Sequence, residues 1–236
     1  MRLVGLAMAV VFFGAAPPIQ HFDCNRATGP ITVDGRLDEP AWKAIPPITS
    51  FRELKSFAAP AEKTEFRIAY DDAYLYFSFR CDDADVFTLY EERDANLWES
   101  DVVELFLQPV SDNPIYYEFE IAPNNAVYDA RMVNSGSGGF RRWAKWNCDI
   151  KTAARVDGTL NDWRDRDSGY TVEAAIPLAA FREAIGDKPL KGQTWKIAAA
   201  RMNFSVTLEA EDRSSTANIA SGSMHQKDGY NTLTFK

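Results

Sequence analysis

Leu97-Trp98-Glu99-Ser100-Asp101-Val102-Val103-Glu104-Leu105-Phe106-Leu107 reads as a loop running into a β-strand. From Val102 the side chains alternate: Val103, Leu105 and Leu107 share one face, while Val102, Glu104 and Phe106 share the other. Glu104 therefore interrupts an otherwise apolar face. A solvated sheet surface would account for it, and so would a hydrogen-bonding group on the floor of a cleft, with Trp98 as its wall. The same alternation recurs on both sides of this stretch. It predicts a short strand within 31–35 and further strands at 64–70, 74–81, 115–122, 126–133, 148–155, 170–176, 194–204 and 231–235. Asp71-Asp72, Asn113-Pro114 and Pro123-Asn124-Asn125 supply turns. Residues 177–186 form the one clear helix, with Pro177 suited to its first turn and Gly186 to its end. Trp42 is expected in the core, given the area a Trp buries. Many strands, short turns and one short helix predict an all-β fold, an antiparallel, jelly-roll-like β-sandwich forming one domain over 21–236.

The chain has 236 residues and a net charge of -8. That balance disfavours nucleic acid, whose phosphates need Lys and Arg, and anionic membrane surfaces. At the start, Arg2, an apolar run over 3–13 and Gly14-Ala15-Ala16 resemble a secretory signal peptide within residues 1–20. The run is shorter than the roughly 20 apolar residues of a membrane span. Export, to a periplasm or the extracellular space, is the expectation. Export would permit a disulfide among Cys24, Cys81 and Cys148. Cys81 closes the face of Leu75, Phe77 and Phe79 and reads as a buried thiol; Cys24 with Cys148 is one candidate pair, and the pairing among the three stays open.

A second strand carries Tyr116, Glu118 and Glu120 on one face and Tyr117, Phe119 and Ile121 on the other. If it neighbours the first, Glu104 faces a Glu118/Glu120 row. Such a row can accept hydrogen bonds from sugar hydroxyls or pair with Arg67, Arg131 or Arg201; alternatively it is a charged outer face. Residues two apart on a strand lie about 6.6 Å apart, near the roughly 6.5–9.5 Å of inverting glycosidases. Any Glu-x-Glu strand gives that spacing, so hydrolysis of glycosidic bonds is the weaker alternative. No G-x-S-x-G elbow occurs. The two histidines, His21 and His225, are too few for a histidine-built metal site, and His225 reads as a surface or loop-packing residue. Acidic runs at 71–72, 82–85, 162–167 and 209–212 offer the hard oxygen ligands of a structural Ca²⁺, with solvated turns as the competing reading. Trp98, Trp143 and Trp146 fall in loops or at strand ends, where a Trp can stack on a sugar ring; Trp163 is a weaker candidate.

Taken in order, six pieces resemble the family 9 carbohydrate-binding module-like domains, of the type found with xylanases. They are Ile31-Thr32-Val33-Asp34-Gly35 with Leu37-Asp38-Glu39-Pro40-Ala41-Trp42, Asp71-Asp72-Ala73-Tyr74-Leu75-Tyr76-Phe77, the Leu97–Phe106 stretch, Tyr117-Glu118-Phe119 with Ala122-Pro123-Asn124, Gly169-Tyr170-Thr171-Val172-Glu173-Ala174-Ala175-Ile176-Pro177, and Arg201-Met202-Asn203. The resemblance implies a β-sandwich that binds a mono-, oligo- or polysaccharide without catalysis. By position Trp98 resembles the first of two tryptophans that sandwich a sugar, Glu104 the sugar-binding Glu, and Asn203 the late Asn. Two departures stand out. The nearest aromatic after Asn203 is Phe204 rather than Trp, and Glu118 and Glu120 occupy the strand expected to carry Arg and Asn. Related sandwiches bind haem b, for which Met132, Met202 or Met224 would be the ligand.

Overall fold

The computed structural model describes residues 15–134 and 139–236. Most of the expected signal peptide, and residues 135–138, lie outside them. Among the described residues are twelve strands: β1 (His21–Arg26), β2 (Arg52–Glu53), β3 (Thr64–Tyr70), β4 (Tyr74–Asp82), β5 (Val102–Gln108), β6 (Ile115–Ile121), β7 (Val127–Val133), β8 (Lys151–Asp157), β9 (Gly169–Pro177), β10 (Thr194–Asn203), β11 (Asp212–Ser215) and β12 (Asn231–Phe235). The expected helix is a 3-10 turn, Leu178–Phe181, running into a single α-turn, Arg182–Ile185, and Gly186 ends it at φ 67°.

The strands make a sandwich. The front sheet runs β7-β6-β5-β10-β12, with β11 sharing an edge of β10 and β2 pairing with β11; the back sheet runs β3-β4-β9-β8. Every pairing is antiparallel except those of β1, which runs parallel to β12 along His21–Cys24 and then parallel to β3 at Asn25 and Arg26. β1 thus passes from one sheet to the other. Gly169 starts β9 at φ 131°, where an added Cβ would lie 1.9 Å from the Cys81 carbonyl oxygen. Only glycine lets the strands meet there.

The core lies between the sheets, as the alternation of β5 requires. Val103, Leu105 and Leu107 meet Tyr117, Phe119 and Ile121 of β6, Phe77 and Phe79 of β4, and Val172 of β9, all essentially inaccessible. Cys81 is a buried thiol, held up to about 11 by burial. The candidate Cys24–Cys148 disulfide does not form. Both are buried free thiols, Cys24 on β1 opposite Phe235 of β12, Cys148 with its backbone N–H bonded to Asp129 of β7. The strand expected within 31–35 is also absent. Glu173 on the outer face of β9 takes the backbone N–H groups of Asp34 and Gly35 on Oε2, each at 2.9 Å, and the Trp42 indole N–H on Oε1 at 2.7 Å. That carboxylate replaces a ladder partner and pins a turn instead.

Candidate functional site

On the other face of the front sheet, register brings the acids together. One row across four strands reads Ala200, Glu104, Glu120, Tyr128, and the next reads Ala198, Phe106, Glu118, Ala130. The reading of these acids as a charged, solvated face is corrected: Glu104, Glu118 and Glu120 are 3%, 4% and 1% exposed. They floor a cleft of about 230 Å³. Trp98, on a 3-10 turn (Leu97–Glu99), forms one wall, edge-on to Tyr128 with ring centroids 6.1 Å apart. Met202, Arg213 of β11 and the Gly222-Ser223-Met224-His225 loop form the rest.

The electrostatics follow from burial. Removal from water raises the Glu104 carboxyl to about 8, against a smaller opposing pull from Arg213. Burial, and then the charge of Glu104, hold Glu118 and Glu120 well above the usual carboxylate range. The Glu118 and Glu120 carboxyls bond to one another, which favours the charge on Glu118 and the proton on Glu120; Glu118 Oε2, Glu120 Oε2 and the Tyr128 hydroxyl are buried without any other hydrogen-bond partner. Buried polar atoms are nearly always paired, so orphans that line a cleft mark where a ligand's polar atoms fit. His225, expected at the surface or in loop packing, packs from its loop against Phe106 and Tyr116 and also lines this cleft. Its Nδ1 lies 3.0 Å from the Tyr116 hydroxyl, and burial, with Lys227 beside it, lowers it to about 4, so it is neutral at ordinary pH.

Trp98, Glu104, Glu118 and Glu120 come together in the cleft; the other residues expected to bind sugar do not. Arg201 and Asn203 sit on β10 with the opposite parity to Ala200 and Met202, and so face the interior. The Arg201 guanidinium donates to Asp83 and to the Asp82 carbonyl, each at 2.8 Å, and the Asn203 amide donates to Glu62 at 2.9 Å. Trp146 packs into the main core against Tyr117 and Phe119. Trp143 closes a helical turn (Phe140–Trp143) at the margin of the front sheet's outer cluster, with the Arg142 guanidinium 5.0 Å from its ring centroid. Trp163 is 66% exposed and lines a different depression. The arginines expected beside the acids pair elsewhere: Arg67 with Glu65, Arg131 with Glu183, and Arg201 with Asp83. Of the methionines, Met202 and Met224 line the cleft, and the Met132 sulfur accepts from the Tyr116 hydroxyl.

The acidic runs serve the backbone. Asp167 accepts from Val86 and Thr159 N–H at 2.7 Å each, and Asp85 accepts from Val206 N–H at 2.9 Å. Asp101 joins two loops, taking Phe87 N–H on one oxygen and Phe204 N–H on the other, both at 2.7 Å. Among the described residues one acidic group, Asp34, Glu39 and Glu173, has oxygens all within 4.8 Å, but Glu173 already spends both oxygens on Trp42 and the turn. Among the cleft residues that sequence reasoning did not assign to the site are Tyr128, Arg213 and His225. Tyr128 alternates on β7 in phase with Glu120 and could have been found. Arg213 lies on a four-residue polar strand with no apolar period, and His225 on a loop, so neither carries a signal.

The model of the carbohydrate family 9 binding domain-like family matches residues 33–231. The chain belongs to this family. An extracellular protein of Arthroderma benhamiae is 26% identical over 72% of this chain and 73% of its own length. Endo-1,4-beta-xylanase C of Paenibacillus barcinonensis is 30% identical over 68% of this chain, which spans only 13% of that enzyme. The family 9 module of Caldicellulosiruptor kristjanssonii, solved with glucose and with cellotriose, shares the fold at TM-score 0.61 in both, with 17% identity. The glucose complex covers 91% of this chain and 95% of the module. A candidate carbohydrate-binding protein from Bacteroides uniformis superposes at TM-score 0.71, with 18% identity over 93% of this chain and all of the other.

Proposed function

We propose that this family 9 domain is exported and binds a carbohydrate, without cleaving it, in the cleft between Trp98 and the Glu104/Glu118/Glu120 floor. The observation that carries this reading is the set of orphaned, buried acceptors beneath an accessible Trp. A sugar ring offers C–H groups on its face, which suit an indole, and hydroxyls on its rim, which suit carboxyls and Tyr128. At about 230 Å³ the cleft is smaller than the roughly 300–1,000 Å³ of drug-sized sites. One ring, such as a chain end, fits that volume better than an extended chain. The sugar complexes of the Caldicellulosiruptor module and the extracellular relative favour the same reading. A two-carboxylate glycosidase needs one acid ionised and one protonated; here burial favours the proton on all three, which supports binding over hydrolysis.

Affinity of the order of 1 mM to 1 μM, about −4 to −8 kcal/mol, is expected. Calorimetric titration with mono- and oligosaccharides tests it. Trp98→Ala should weaken binding about tenfold or more, equivalent to about 1.4 kcal/mol. Equal affinity of the two proteins would remove Trp98 from the site.

A further inference from the structure

The cleft is lined by three carboxyls, Glu104, Glu118 and Glu120, and by one guanidinium, that of Arg213. Arg213 is already engaged, donating through Nη2 to Glu211 at 2.8 Å. His225 is neutral and bonded to Tyr116. The floor therefore has more capacity for negative charge than its walls compensate. Two of its oxygens, Glu118 Oε2 and Glu120 Oε2, are buried without any other partner.

A neutral sugar can hydrogen-bond to these carboxyls but brings no charge to offset the ionisation of a buried acid. An ammonium group brings three N–H donors and a unit charge together. The rings of Trp98, Phe106 and Tyr128 border the same space, and a cation within about 6 Å of an aromatic face gains further attraction. A metal ion fits this trio less well. Ligand oxygens must converge on one sphere, and the acidic group of the described residues that does so is Asp34, Glu39 and Glu173. Carboxyls spread along two strands suit a ring with polar substituents at several corners.

We propose that the cleft selects a sugar bearing a protonated primary amine, a hexosamine with its nitrogen unacylated, over the neutral sugar of the same ring. This rests on the cleft being the sugar site. The amine is held by Glu104, Glu118 and Glu120. It acts among Tyr116 of β6, Tyr128 of β7, Arg213 of β11, Tyr230 beside β12 and His225 of the loop, the other titratable groups around the acids. An ammonium favours the ionised form of the acids it touches, so its binding expels a proton to solvent, whereas a neutral ring expels none.

The test is calorimetric titration at about pH 6, where an amine of ordinary basicity is charged. Glucosamine and its β-1,4 dimer are compared with glucose, cellobiose and N-acetylglucosamine, in two buffers of different ionisation enthalpy. The expected result is a preference of tenfold or more for the free amines, with proton release. Glu104→Gln and Glu118→Gln should remove that preference while thermal melts show a folded protein. Neutral sugars bound as tightly as the amines, with sensitivity to Trp98→Ala, would overturn the amine selectivity and leave the sugar site standing. If no sugar of either kind bound, both readings would fall. Ca²⁺ titrated alone, binding to the wild type and not to Glu104→Gln, would replace the amine with a metal ion and overturn the inference.

Discussion

Glu104 stands directly opposite Glu120 across the β5–β6 pair, and both are almost wholly buried. The folded chain holds protons on these acids that the unfolded chain releases, because their folded values lie above the ordinary one. Stability therefore falls as pH rises from about 4.5 through about 8, the interval over which Glu104 titrates in the unfolded and then the folded chain. Glu104→Gln should flatten that decline. It should be more stable than wild type near pH 8 by the order of a few kcal/mol, and no more stable near pH 4. Denaturant melts across that range provide the measurement, and identical pH profiles would refute the assignment.

Arg201 lies buried against Asp83 rather than in the cleft, so its removal should act on folding. Arg201→Leu strands a buried carboxyl and is expected to cost about 3–5 kcal/mol. The fraction that remains folded at low temperature should bind sugar as wild type does. A selective loss of affinity at unchanged stability would place Arg201 in the site after all.

The two loop tryptophans should separate cleanly. Trp146→Ala removes a half-buried ring from the Tyr117/Phe119 cluster and should cost about 2–4 kcal/mol with affinity retained. Trp98→Ala should do the reverse, losing affinity with a smaller loss of stability. Thermal melts run beside titrations distinguish the patterns.

Asp101 clasps two loops by their backbone amides, so Asp101→Ala frees two donors at once. About 1–3 kcal/mol per buried orphan is expected. Hydrogen exchange should quicken first at the Phe87 and Phe204 amides. Protection unchanged at both would contradict the clasp.

The sandwich was legible because its strands bury one face each. The phase of Val103, Leu105 and Leu107 against Glu104 is the phase observed, and Tyr116, Glu118 and Glu120 alternate as expected. Segments held by side chains rather than by ladders were not legible. The 31–35 turn depends on Glu173, some 140 residues away in sequence, and no local pattern reports such a partner. Arg201 and Asn203 illustrate a second limit. Parity places them with Ile197 and Ala199, facing inward, but a charged residue invites an outward assignment until its buried partners Asp83 and Glu62 are known.

β1 gives the molecule a particular order of events. Its first half pairs with β12, His21 meeting Thr232 across 211 residues of chain, and its second half pairs with β3. The seam between the sheets thus cannot close until the last strand is available. Contacts of such long range slow folding, since loop closure precedes any gain from pairing. The β5–β6–β7 meander that carries the acids can assemble from neighbouring hairpins early on, while its pairing with β10 and the union with the back sheet wait for distant segments to meet. Refolding should accordingly show a late phase sensitive to changes in β1 or β12 and indifferent to changes in the cleft.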